Sequence, residues 1–137
     1  MDWPILCIPS NGDRMAVVQD MASLSTPTRR GIKRGWYKNL QIIDSVGRPY
    51  RVIGAVAEMT SPLQWIHGFV GGRIQVRLEF DEYLKPNEIN LEELKVIVLG
   101  NLITHRERFE SGRALAEFRS QIRKCQTYRE VIECLAG

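Results

Sequence analysis

The sequence is poor in the residues from which most catalytic and metal sites are built. Of its 137 residues, only two are histidines and three are cysteines. The cysteines, Cys7, Cys125 and Cys134, have no C-x-x-C spacing, whereas a structural zinc site needs about four His or Cys ligands at set offsets. No stretch approaches the roughly 18 consecutive apolar residues of a transmembrane helix. We therefore expect no metal site and no membrane partner.

The two histidines do not form a recognisable catalytic motif. His67 lies in a glycine-flanked stretch and His105 lies late in a predicted helix. Any Cys–His or Ser–His pair would have to come from residues far apart in sequence, so spacing cannot support one. The glycines of residues 68–72 precede a predicted strand, whereas a phosphate-binding loop opens a helix. The prediction is a protein without catalytic residues or a cofactor, and not an enzyme.

What is present is an ordinary globular composition. Hydrophobic residues make up 44% and charged residues 26%, near the averages for folded domains. A chain of this length can bury one sizeable core without disulfide or metal staples. An odd number of cysteines indicates reduced thiols, and the first residues lack the basic start of a signal peptide. Together these features predict one domain, residues 1–137, in the cytosol.

The order of the predicted elements indicates the fold class. Strands are predicted at residues 3–9, 36–43, 50–59 and 73–80, the second and third as a hairpin. Residues 13–24 are weakly helical, with Asp13 as a possible N-cap. Residues 52–57 are apolar at both parities, as in a strand covered on both faces, and Gly54 suggests a bulge or the close packing of another element.

The rest of the chain predicts helices. They are opened by Asn90, by Ser111 and by Thr127, with capping-box spacing at the first and last. Strands mostly first and helices mostly last predict a single α+β domain, in which an antiparallel sheet carries the C-terminal helices on one face.

A basic segment precedes the predicted hairpin. Five cations and no anion fall within ten residues, beside aromatic side chains. Cations interleaved with aromatics can follow a nucleic-acid backbone and stack on exposed bases. The alternative is a solvated loop whose aromatic residues face the core. The candidate nucleic-acid patch consists of Arg29, Arg30, Lys33, Arg34, Trp36 and Lys38.

An acidic stretch follows the most regular strand. Between residues 78 and 94 six carboxylates stand against Lys85 alone, a net charge of −5. Carboxylates at a helix start are partly explained by the helix dipole, and others can serve as a solubilising edge. They can also form a surface that docks a basic partner. The candidate partner-binding residues are Glu79, Asp81, Glu82, Glu88, Glu92 and Glu93.

The whole-chain pattern resembles the immunity proteins of bacterial polymorphic toxin systems, including those of contact-dependent growth inhibition. The resemblance lies in the hairpin of residues 39–50, the strand of residues 74–80, the Leu-Glu-Glu-Leu-Lys opening at Leu91 and the Thr-Tyr-Arg-Glu-Val-Ile closing at Thr127. It implies a non-catalytic protein that binds one cognate toxin domain and blocks its active site. If that toxin is a nuclease, the acidic stretch is the natural docking surface. The alternative from the residues alone is a small nucleic-acid-binding or regulatory module that uses residues 29–38.

Overall fold

The computed structural model describes residues 1–26, 34–58, 75–82, 89–105 and 112–136. Within these ranges the chain forms one antiparallel sheet of five strands and four helices. The strands are β1 (Ile5–Ile8), β2 (Ala16–Val18), β3 (Gln41–Ile43), β4 (Pro49–Glu58) and β5 (Gln75–Glu82). The helices are α1 (Met21–Leu24), α2 (Leu91–Thr104), α3 (Gly112–Lys124) and α4 (Tyr128–Ala136). The predicted α+β class, with helices mostly at the C-terminal end, is confirmed.

The sheet order is β2-β1-β3-β4-β5. β1 lies between β2 and β3, with Leu6 opposite both Val17 and Ile43. β4 pairs briefly with β3 and then over its length with β5. All of these pairs are antiparallel, so side chains alternate between the two faces of the sheet.

Two apolar clusters lie on opposite faces of this sheet. The loop-side cluster contains Ile5, Cys7, Leu24, Tyr37, Leu40, Ile42, Tyr50, Val52 and Val76. The helix-side cluster contains Leu6, Ile43, Leu94, Val98, Leu102, Ile122, Cys125, Val131 and Ile132. The alternation of Ile5, Leu6 and Cys7 between the two clusters shows that β1 is covered on both faces.

The predicted helix at residues 13–24 is wrong over most of its length. Residues 16–18 form β2, and only Met21–Leu24 is helical. The N-cap is Asp20, whose side chain accepts a hydrogen bond from the Ser23 amide, rather than Asp13. Pairing with the apolar strand β1 outweighs a weak helical periodicity, because sheet partners are supplied by residues distant in sequence.

The other helix starts match the sequence pattern. Asn90 accepts a hydrogen bond from the Glu93 amide at 2.8 Å, and Thr127 accepts one from the Glu130 amide at 3.2 Å. These bonds satisfy amides that have no partner inside the helix. Ser111 lies outside the described residues, and α3 is described from Gly112 onward.

A buried carboxylate fixes the turn between β3 and β4. Asp44 is fully buried and accepts hydrogen bonds from the amides of Val46, Arg48 and Asp2 and from Arg48 Nε. The negative charge of Asp44 is the largest cause of the raised pKa of the Arg48 guanidinium. This network sets the point at which β4 leaves the turn, and therefore its register along the sheet.

The same turn is joined to the helices. Gly47 has φ +90°, and a Cβ there would lie 2.5 Å from the Tyr128 ring. Tyr128 donates a hydrogen bond from its hydroxyl to the Ile89 carbonyl at 2.9 Å. One aromatic ring thus connects the β3–β4 turn, the start of α4 and the segment leading into α2.

Candidate binding surface

The helix layer covers only part of its face of the sheet. The strand residues in or packed against the helix-side cluster are Leu6, Ile8, Val17 and Ile43, from β1, β2 and β3. Among the described residues, none from β4 or β5 belongs to that cluster. In the part of the chain that the structure describes, the helices that cover β1, β2 and β3 therefore do not extend over the same face of β4 and β5.

We call this uncovered area the open face. Its position follows from the register, because Val52 and Ala55 of β4 pair with Phe80 and Leu78, which pack on the loop-side cluster. The residue pairs that alternate with these two therefore lie on the other face of the sheet, the face that carries the helices. The extra residue of a β-bulge adds one more exposed side chain there. The open face consists of Arg51, Ile53, Gly54, Val56, Arg77, Glu79 and Asp81.

A β-bulge lies at the centre of the open face. The register shifts between Val52 and Gly54, so that Ile53 is the extra residue of β4. Of the two features that Gly54 suggests, a bulge or the close packing of another element, the bulge is confirmed. A Cβ on Gly54 would come within 3.2 Å of Glu79 Oε2. The glycine thus leaves room for the Glu79 carboxylate to lie across β4.

Two large apolar side chains are exposed there. Ile53 is 59% exposed and Val56 is 57% exposed. The prediction that residues 52–57 form a strand covered on both faces is therefore wrong. The bulge changes the parity of the strand, and Ala55 and Val56, which follow it, are exposed to solvent.

Charged groups surround these apolar side chains in alternating sign. Arg51 Nη2 lies 3.9 Å from Asp81 Oδ2 across the strand pair, and Arg77 lies opposite Val56. An exposed pair at this separation contributes roughly 0–1 kcal/mol to stability. The open face is a mixed-charge surface with an apolar centre, rather than a purely acidic one.

Four of the six predicted acidic residues have described side chains, and these lie in two places. Glu79 and Asp81 are exposed on the open face. Glu92 and Glu93 are in the first turn of α2, where Glu93 joins the Asn90 cap and Glu92 Oε1 lies 3.4 Å from Lys95 Nζ. The Glu82 side chain and Glu88 lie outside the described residues.

The basic segment is described only in part. Arg34 Nη2 forms an ion pair of 2.6 Å with Asp13 Oδ1. The Trp36 ring packs edge-on against Tyr37, with centroids 5.0 Å apart, and contacts the loop-side cluster. Lys38 is exposed beside a groove of about 310 Å³ between residues 35–39 and 52–55. The remaining patch residues, Arg29, Arg30 and Lys33, lie outside the described residues.

His105 has a place in the fold. It follows α2, and its Nε2 lies 3.1 Å from the Gly12 carbonyl oxygen. This contact ties the end of the helix to the loop before β2. His67 lies outside the described residues.

The pattern of the sequence pointed to Glu79 and Asp81 but not to Arg51, Ile53, Val56 or Arg77. Ile53 and Val56 were assigned to the core because apolar residues at both parities usually indicate two covered faces. The sequence signal for the exposure of Val56 was Gly54, because a bulge at that position moves each following residue of β4 by one place relative to β5 and so to the other face of the sheet.

Comparisons with protein-family models, with curated proteins and with solved structures each gave no match. Among the described residues, none of the helices has the length and hydropathy that crossing a bilayer requires. The same residues contain no group of three or more His, Cys, Asp or Glu side chains placed to hold a metal ion.

Proposed function

We propose that this chain is a non-catalytic, cytosolic immunity protein that binds one cognate toxin domain through the open face and blocks its active site. The observation that carries the proposal is the pair of exposed apolar side chains, Ile53 and Val56, at the centre of a charged sheet surface. The resemblance of the chain to toxin immunity proteins supplies the class of partner.

The composition of the open face suits a protein partner. Protein interfaces have an apolar centre, a polar rim and an excess of arginine. Ile53 and Val56 supply the centre, and the guanidinium groups of Arg77 and of Arg51, which is paired with Asp81, lie in the polar rim. Burial of the apolar pair on docking would remove exposed hydrocarbon from water.

The open face is also held in shape before any partner arrives. β4 and β5 pair over nearly the full length of both strands, and the Asp44 network anchors the start of β4. A surface that is already ordered loses little conformational entropy on binding. Rigidity of this kind favours an inhibitor that must fit one toxin closely.

The carboxylates give the proposal its electrostatic component. Glu79 and Asp81 project from alternate positions of one strand, about 7 Å apart along it. If the toxin is a basic nuclease, two carboxylates at this spacing would mimic phosphate charge on its nucleic-acid-binding surface. The net charge of the whole chain is +3, so the attraction would come from this surface rather than from the whole molecule.

Calorimetric titration with the C-terminal domain of the protein encoded immediately upstream tests the proposal. We expect a complex of micromolar affinity or tighter. Val56→Glu should weaken it at least about tenfold, because a carboxylate would be buried in the apolar centre of the interface. Val96→Glu is the matched control, since Val96 is 70% exposed on α2 and is not one of the residues of the open face.

Two results would count against the proposal. Absence of a complex at micromolar concentration would contradict the immunity function. Equal weakening by Val56→Glu and Val96→Glu, with both variants folded, would contradict the open face as the docking surface.

The nucleic-acid alternative receives less support from the described part of the basic segment. The cation of Arg34 is already paired with Asp13, and Trp36 contributes to the core instead of offering a free stacking surface. Salt-dependent binding of labelled RNA or DNA that is lost in the double variant Arg29→Glu with Arg30→Glu would favour this alternative instead.

A further inference from the structure

The C-terminal helices bring two of the three cysteines to the same residue. Cys125 directly follows α3, and its Sγ donates to the Gln121 carbonyl at 3.3 Å. Cys134 lies in α4, and its Sγ donates to Gln121 Oε1 at 3.7 Å. The two thiols therefore converge on opposite ends of one glutamine.

The two thiols differ in their access to solvent. Cys125 is buried in the helix-side cluster, whereas Cys134 is only half-buried. Burial raises the pKa of the Cys125 thiol, and interaction with the neighbouring Cys134 raises it further. A dissolved reagent therefore reaches Cys134 more readily than Cys125.

We propose that Cys134 and Cys125 are a reactive thiol and its resolving partner, which form a reversible disulfide with a small disulfide such as oxidised glutathione as the oxidant. Redox-sensor sites often place a solvent-accessible cysteine of low pKa next to a resolving cysteine, and the accessible position of Cys134 beside the thiol of Cys125 matches that placement. This site is separate from the open face and does not depend on the proposed function.

The reaction takes place in two exchanges. In the first, Cys134 loses its proton to water and its sulfur attacks the disulfide of oxidised glutathione. One glutathione leaves as a thiolate, and Cys134 is left in a mixed disulfide.

In the second exchange, Cys125 loses its proton and its sulfur attacks Cys134 Sγ, which releases the second glutathione. Two protein thiols are oxidised to one disulfide, and one oxidised glutathione is reduced to two thiols. Both hydrogen bonds to Gln121 are lost, and a covalent link between the end of α3 and α4 replaces them.

The test is incubation of the folded full-length chain with oxidised glutathione, followed by intact mass measurement and peptide mapping. We expect the mass to fall by two hydrogen atoms, with the bridge mapped to Cys125 and Cys134, and a reducing agent to reverse it. Cys125→Ser should stop at the mixed disulfide on Cys134, with the mass of one added glutathione. Cys134→Ser should leave Cys125 unmodified.

Cys7→Ala is the matched control and should form the same bridge as the wild type, because Cys7 is fully buried in the other cluster. A wild-type chain that stays reduced, stops at the mixed disulfide or forms a bridge through Cys7 would overturn the proposal. Since the wild-type map alone decides between these outcomes, the test holds even if a cysteine variant folds poorly.

Discussion

The helix-bearing face of the sheet has two halves that are built alike and covered differently. In the half formed by β2, β1 and β3, Ile43 is 1% exposed beneath the helices. In the half formed by β4 and β5, Ile53 is 59% exposed. The two side chains are identical and both lie in antiparallel strands. Whether an apolar strand residue belongs to the core is thus decided by the layer above it.

The helix layer covers the sheet only as far as its buried apolar residues reach. Its buried residues, Leu94, Val98 and Leu102 of α2 and Val131 and Ile132 of α4, pack on the side chains of β1 and β3. The Tyr128 ring against Gly47 marks the boundary, at the turn from which β4 leaves the covered half. The fold therefore leaves the open face as a structured, partly apolar surface in solvent.

The largest expected effect comes from truncating the same residue type in each half. Ile43→Ala should lower the free energy of unfolding by about 2–5 kcal/mol, because it leaves a cavity in a filled core. Ile53→Ala should change it by less than about 1 kcal/mol, as expected for an exposed site. Urea denaturation of both variants measures the difference. Similar losses in the two variants would mean that the open face is covered in solution.

The boundary between the halves can be tested at Gly47. Gly47→Ala should cost about 2–3 kcal/mol, since it combines a positive φ with a clash against the Tyr128 ring. Gly12→Ala is the matched control, because Gly12 has φ +83° and no atom within 4 Å of the added Cβ. We expect this control to cost about 1 kcal/mol. If thermal unfolding shows equal losses for the two variants, Tyr128 does not hold the turn to the helices.

The loop-side face predicts a smaller, pH-dependent effect. Burial raises the pKa of the Cys7 thiol from 9.0 to about 12. A raised pKa means that the unfolded chain loses this proton first, so the stabilisation is complete below pH 9.0 and is lost as the pH rises toward about 12. Between these two pH values the free energy of unfolding should fall by about 1.4 kcal/mol per pH unit because of Cys7.

Cys7→Ala isolates this contribution from the lysines and tyrosines that titrate in the same range. Denaturation curves collected at several values above pH 9.0 should fall less steeply for Cys7→Ala than for the wild type. Parallel curves would show that the thiol is accessible, and that the loop-side cluster does not seal this face of β1.

The local parts of the fold could be predicted from the sequence. Asn90 and Thr127 cap helices because their side chains reach amides three residues away, and the residues of β1 are apolar with prolines nearby. The bulge was readable from Gly54. The α+β class followed from the order of these elements.

The parts that depend on distant partners could not be predicted. β2 exists because Val17 pairs with Leu6, and no pattern within residues 13–24 reveals that partner. The exposure of Ile53 and Val56 depends on how far α2 and α4 extend over the sheet, and tertiary packing sets that extent. Glu79 and Asp81 were identified from charge alone, without the arginines that lie beside them on the open face.

Site-specific photo-crosslinking tests most directly whether the uncovered half of the sheet receives a protein partner. The photoreactive residue p-benzoylphenylalanine would replace Val56 in one sample and Val96 in another, each mixed with the C-terminal domain of the protein encoded upstream and irradiated. A covalent adduct from position 56 and none from position 96 is the predicted result. An adduct from position 96 alone, or from neither position, would contradict docking on the open face.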